Sequence, residues 1–124
     1  MQIDIKGRNV QVTDELRTHA ERRLAKISRQ VSDLAQLEIE MRKEPNPRVA
    51  DSQGVEATLY LKGVTLRARE ASREMGHSLN LVIDELARQV KRHRDKLRHR
   101  REAHAAVARG ASDPAAPGAS LPSV

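Results

Sequence analysis

With 124 residues and a hydrophobic fraction of 38%, the chain has room for one domain with a modest core, and it has no apolar stretch near the ~20 residues of a membrane span. The absence of cysteine excludes a disulfide framework and a thiolate nucleophile, and the N-terminus lacks the apolar run of a signal peptide, so a cytoplasmic protein is expected. The net charge of +6 indicates a polyanionic partner, either nucleic acid or an anionic membrane surface.

The first part of the chain predicts a strand, a helix and a second strand. Apolar and polar residues alternate from Gln2 to Lys6, which indicates a strand with one buried side. Thr13 stands where a helix N-cap belongs, and the helix is predicted to continue to about Arg29. Its apolar stripe consists of Leu16, Ala20, Leu24, Ile27 and Val31. Alternation over residues 35–41 predicts the second strand.

The second part predicts a hairpin and a long helix. Residues 55–61 and 64–68 alternate on either side of a turn at Lys62-Gly63. A helix follows from Ser72 to about Arg101, long enough at ~1.5 Å per residue to extend beyond a sheet of this size. Its apolar stripe consists of Met75, Leu79, Val82, Ile83, Leu86, Val90 and Leu97.

The order β-α-β-β-β-α predicts an α+β fold, in which a four-stranded sheet carries both helices on one face. We expect a right-handed crossover in the first βαβ unit. Residues 1–101 are expected to form the folded domain. Residues 102–124 are rich in Ala, Pro, Gly and Ser, which predicts a disordered tail or a truncated linker.

The late helix carries the strongest functional signal. Residues 88–101 contain eight cations and one anion, more than solubility requires, and cations that displace condensed counterions bind nucleic acid. The alternative is a solvated helix end, where cations are favoured by the helix dipole. The candidate RNA-binding residues here are Arg88, Lys91, Arg92, Arg94, Lys96 and Arg98, and Arg100 and Arg101 extend the run.

The first helix adds a second basic surface. Arg22, Lys26 and Arg29 lie together on its outward side, and Arg23 lies at the edge of the apolar stripe. A solvated helix face is the alternative for this ridge taken alone. Because both helices are expected on the same side of the sheet, both basic surfaces could meet one RNA.

Other chemistries find little support in the sequence. Tyr60 is the only aromatic residue among Phe, Trp and Tyr, so the chain offers one stacking platform at best, and its contacts to nucleic acid should be mostly to phosphate and to shape. The five histidines include no pair at the i, i+4 spacing of a helical zinc site. With no Gly-rich phosphate loop and no catalytic constellation, we expect no enzyme, no cofactor, no metal and no small-molecule substrate.

Residues 82–97, VIDELARQVKRHRDKL, resemble the characteristic helix of the ribosome hibernation-promoting factor and ribosome-associated inhibitor family, also called sigma-54 modulation proteins. Residues 5–10, 13–16, 57–61 and 71–75 add further matches. The resemblance implies a fold like that of a double-stranded-RNA-binding domain. It also implies binding to small-subunit ribosomal RNA, in the channel for messenger and transfer RNA. By position, the family's RNA contacts fall on Arg22, Arg23, Lys26, Arg88, Lys91, Arg92, Arg94 and Lys96.

We therefore expect a monomeric ribosome hibernation factor that blocks translation and has no membrane partner. Two departures from the family pattern stand out: Gly76 replaces a tyrosine, and Arg29-Gln30-Val31 replaces an aromatic residue after the first helix. The chain resembles a short family member or the N-terminal domain of a long one. The alternative function is a basic protein-interaction module that modulates a transcription factor.

Overall fold

The structure, a computed structural model, describes residues 1–108 and contains the six predicted elements in the predicted order. The described residues fall into two units, residues 1–90 and residues 91–108. The elements are β1 (Gln2–Arg8), α1 (Asp14–Ser28), β2 (Gln36–Lys43), β3 (Gln53–Leu61), β4 (Val64–Ser72) and α2 (Met75–Ala108). The predicted α+β class is confirmed.

The four strands form one sheet in the order β1-β2-β3-β4. β1 and β2 are parallel and are connected through α1, whereas β3 is antiparallel to both β2 and β4. The register aligns Ile5, Ile39, Ala57 and Ala68 in one row across all four strands. All four side chains are buried, so this row marks the core side of the sheet.

Local signals position α1 between the two parallel strands. The hydroxyl of Thr13 accepts a hydrogen bond of 3.2 Å from the backbone N–H of Leu16, as expected for an N-cap. Just before the helix, the chain turns back so closely that a Cβ atom on Gly7 would collide with the backbone oxygen of Val10. This close approach requires glycine at the end of β1.

A single apolar core lies between the sheet and the helical residues of the first unit. Leu24 of α1, Leu59 of β3 and Leu86 of α2 are fully buried members of it. Asp4 of β1 and Glu38 of β2, which alternate with the core residues, are exposed. The predicted arrangement of both helices on one sheet face is therefore confirmed, and the opposite face is polar.

α2 differs from its prediction at both ends. It begins at Met75, because Ser72 still belongs to β4. It continues seven residues beyond Arg101, so residues 102–108 are helical and not part of a disordered tail. Alanine, the best helix former, occupies four of the positions from 103 to 108. This explains why the segment is helical although none of its residues is buried in the core. The rest of the predicted tail, residues 109–124, lies outside the described residues.

The apolar stripe of α2 also ends earlier than predicted. Val90 is its last buried residue, and no residue from 91 to 108 is buried. Leu97, which the prediction placed in the stripe, has an exposed fraction of 38%. Within residues 1–108, neither helix has a window apolar enough to cross a membrane.

Candidate nucleic-acid interface

All ten predicted RNA-binding residues are exposed in the structure. On α1, Arg22, Lys26 and Arg29 are spaced by four and three residues, which places them along one face of the helix. Their side chains make no hydrogen bond or ion pair with another described residue. The basic ridge predicted on α1 is therefore present as a line of cations available to an anionic ligand.

Arg23 lies beside this ridge and is held from the neighbouring helix. Its Nη2 atom donates a hydrogen bond of 3.0 Å to Oδ1 of Asp84 on α2, and both side chains are about half exposed. One turn earlier on each helix, Nε2 of His19 lies 2.7 Å from Oδ1 of Asn80. Because both partners advance by four residues between the two contacts, α1 and residues 75–90 of α2 run in the same direction.

Arg88 is held by a different set of contacts. Its Nε and Nη2 atoms donate to Oε1 of Glu85 at 3.1 and 2.9 Å. The other carboxylate oxygen of Glu85 accepts from the amide of Gln89 at 3.0 Å, and that amide also donates to the backbone oxygen of Arg67 on β4 at 2.7 Å. A chain of hydrogen bonds thus connects Arg88 to the sheet.

Residues 91–108 form a helical segment with cations on several sides. The side chains of Lys91, Arg94 and Lys96 make no hydrogen bond or ion pair with another described residue. Arg98 is paired within the segment, at 3.3 Å from Asp95 and 3.8 Å from Glu102. Lys91, Arg94 and Lys96 are therefore available to a ligand, whereas Arg98 is already paired with acids of the same segment.

Sequence reasoning missed the acidic and amide side chains that contact these arginines. Glu85 is three residues from Arg88 and four from Gln89, a spacing that predicts contact on a helix. Asp84 and Arg23 are 61 residues apart, and only the parallel packing of two helices brings them together. No local pattern could have predicted that pair.

An open groove lies between the N-terminal parts of α1 and α2. It encloses about 910 Å³ and is lined by polar side chains that include His19, Arg22, His77 and Asn80. Gly76 lies at its edge, and a Cβ atom there would meet nothing within 4 Å. The departure from the family's tyrosine at this position therefore leaves open space beside the basic ridge.

The sheet face opposite the helices has mixed charge. Arg42 lies 3.7 Å from Glu56 on the neighbouring strand, and the hydroxyl of Tyr60 donates to Glu38 at 3.1 Å. This hydrogen bond, together with burial and the negative charge of Glu38, raises the pKa of Tyr60 against the opposing effect of Arg67. Tyr60, the only residue of the chain among Phe, Trp and Tyr, is thus hydrogen-bonded to an acidic neighbour on the sheet face opposite the core.

Comparisons with known proteins agree with the family resemblance of the sequence. The sequence profile of the family described as "Sigma 54 modulation protein / S30EA ribosomal protein" matches residues 3–98. A "Ribosome hibernation promotion factor" of Picosynechococcus sp. is 30% identical over 97 residues, which cover 77% of this chain but only 50% of that protein. A "Ribosome hibernation promoting factor" of Salmonella typhimurium is 32% identical over 98 residues, covering 79% of this chain and 98% of that protein.

Two solved structures share the fold. A ribosomal subunit interface protein from Coxiella burnetii superposes with a TM-score of 0.64 at 21% identity, covering 77% of this chain and 99% of that one. The N-terminal domain of Protein Y from Thermus thermophilus gives a TM-score of 0.63 at 26% identity, covering 74% and 98%. The chain spans half the length of its cyanobacterial relative and nearly all of its enterobacterial one.

Proposed function

The chain belongs to the sigma 54 modulation protein / S30EA ribosomal protein family, and from that membership we propose that it is a ribosome hibernation factor. It binds the RNA of the small ribosomal subunit through the basic surfaces of α1 and α2. By occupying the channel that messenger and transfer RNA require, it blocks translation. Two relatives that carry the name of hibernation factor support this role.

The observation that carries the proposal is the set of exposed cations that have no partner among the described residues. Six of the ten predicted residues have side chains that make no hydrogen bond or ion pair within residues 1–108. Exposed cations of this kind gain most from phosphate, because no existing pair must be broken and condensed counterions are released from the RNA. The six residues are Arg22, Lys26, Arg29, Lys91, Arg94 and Lys96.

The proposed inhibition is stoichiometric and needs no catalysis. The protein acts by filling space, so it needs no enzyme activity, cofactor or small-molecule substrate, and one copy is expected to inactivate one ribosome. Its place of action is the cytoplasm, where ribosomes are found. Base stacking contributes little, since Tyr60 is the only residue among Phe, Trp and Tyr and its hydroxyl is bound to Glu38.

Sedimentation with purified ribosomal subunits tests the proposal. The protein should sediment with small subunits and not with large ones, and excess initiator transfer RNA with messenger RNA should displace it. Intact ribosomal RNA after incubation is expected from a space-filling inhibitor. Failure to sediment with small subunits, or cleaved ribosomal RNA, would contradict the proposal.

A further inference from the structure

We propose that Asp84 and Glu85 are positioning residues, which hold the guanidinium groups of Arg23 and Arg88 in place for contact with RNA phosphate. The inference rests on the proposed function and assigns a role to two acidic residues on a basic surface. The two acids are neighbours in α2; Asp84 contacts Arg23 and Glu85 contacts Arg88, both of the predicted RNA-binding set. Asp84 holds an arginine of α1, whereas Glu85 holds one of its own helix.

The geometry at Asp84 leaves Arg23 able to bind a second anion. The ion pair uses one Nη atom, at 3.0 Å, out of a guanidinium that carries five N–H donors. The remaining donors include pairs suited to bidentate contact with a phosphate. An exposed fraction of 41% for Arg23 keeps those donors accessible to RNA. Arg23 can therefore bind a phosphate group while it keeps its ion pair with Asp84.

The geometry at Glu85 fixes a second arginine more firmly. One carboxylate oxygen accepts two bonds from Arg88, and the other accepts from Gln89. Gln89 in turn donates to the backbone oxygen of Arg67 on β4. The position of this oxygen is fixed by the strand and does not depend on a side-chain rotamer. The orientation of Arg88 is thus determined by the sheet, through Gln89 and Glu85.

Positioning and simple electrostatics predict opposite results at Asp84. An arginine that is free in solution loses side-chain freedom when it binds phosphate, whereas one already held in place loses less. If Asp84 positions Arg23, neutralising it should weaken RNA binding. If Asp84 is merely an acid on a basic surface, neutralising it raises the net positive charge and should strengthen binding.

The experiment measures the Kd for purified small ribosomal subunits at one fixed salt concentration. Asp84→Asn should bind about two- to fivefold more weakly than the wild type, the effect expected for loss of an exposed ion pair that orders a side chain. Asp84→Glu, which keeps a carboxylate within reach of Arg23, should recover most of the loss. Glu21→Gln is the matched control, because Glu21 is an exposed acid of α1 whose carboxylate makes no hydrogen bond or ion pair with another described residue. It should bind as tightly as the wild type or slightly more tightly.

A double-mutant comparison separates positioning from a fold defect. In the Arg23→Gln background, Asp84→Asn should cause no further weakening, since the residue it positions is gone. Gln89→Ala, which changes no charge, should weaken binding in the wild type but not in the Arg88→Gln background. All variants should keep the wild-type melting temperature within a few degrees, because these side chains lie at the surface.

Each outcome bears on one of the two proposals. Tighter binding by Asp84→Asn, or a loss that persists without Arg23, would overturn the positioning role while leaving ribosome binding intact. A wild-type protein that does not bind small subunits would overturn the proposed function and this inference with it. Weakening that requires Arg23 and is absent in Glu21→Gln supports the positioning role.

Discussion

The hydroxyl of Tyr60 donates a hydrogen bond of 3.1 Å to Oε1 of Glu38, across two neighbouring strands on the polar face of the sheet. Tyr60 has an exposed fraction of 39%, but its hydroxyl is already hydrogen-bonded to an acidic partner. The carboxylate acceptor stabilises the neutral phenol, so the pKa of Tyr60 is raised above its ordinary value of 10.0. A raised pKa in the folded state means that this interaction contributes its full stability below pH 10 and loses it as the pH rises through the folded pKa.

We predict that the absorbance of tyrosinate reports this interaction directly, since the chain contains a single tyrosine and no tryptophan. The midpoint of titration should lie above 10.0 in the wild type and fall in Glu38→Ala. Glu40→Ala is the control, because Glu40 lies on the same face of β2 but has no part in the pKa shift of Tyr60. An unchanged midpoint in Glu38→Ala would mean that the hydrogen bond does not persist in solution.

Much of the fold can be predicted from the sequence because burial leaves a local pattern. Strand alternation and helical periodicity each report one buried face, and together they predict six elements in the right order. The end of α2 cannot be predicted in this way. No residue from 91 to 108 is buried, so the helix there depends on intrinsic propensity and not on an apolar stripe.

Two leucines of α2 test where the core ends. Leu86 is fully buried, and Leu86→Ala should lower the free energy of unfolding by about 2–5 kcal/mol. Leu97 lies beyond Val90 with an exposed fraction of 38%, so Leu97→Ala should change the free energy of unfolding by less than about 0.5 kcal/mol. Chemical denaturation of both variants measures the two values. Equal losses would show that Leu97 packs in a core that the structure does not contain.

The candidate site is predictable in part. Runs of Lys and Arg are visible in any sequence, and the positions that resemble the family coincide with them. What sequence cannot supply is which cations already have partners. Arg23 and Arg98 both look available in the sequence, yet one is bound to an acid on another helix and the other to acids three residues before it and four residues after it.

Salt dependence should report the number of phosphate contacts. If the exposed cations of both helices bind phosphate, log K should fall linearly with log salt concentration. For ~6–10 contacts, raising salt from about 50 to about 200 mM should weaken binding to small subunits by roughly 10³–10⁵-fold. Fluorescence anisotropy of the labelled protein can follow this titration. An affinity that hardly changes with salt would contradict binding through phosphate.

Charge reversal on α2 should separate binding from stability. Replacing Lys91, Arg94 and Lys96 together with Glu places three acids where the proposal has phosphates, so binding to small subunits should be lost. All three side chains are exposed and lie beyond the last buried residue of the helix. The melting temperature should therefore remain nearly that of the wild type. A variant that unfolds would show that these residues support the core.

The control for this variant carries the same change of charge on the strands of the sheet. Lys6, Arg67 and Arg69 are exposed side chains on the polar face of the sheet, opposite the core. Their replacement with Glu also removes three positive charges and adds three negative ones. If binding depends on the helical cations, this second variant should keep most of its affinity for small subunits. Equal loss in both variants would mean that net charge, and not the cations of α2, determines binding.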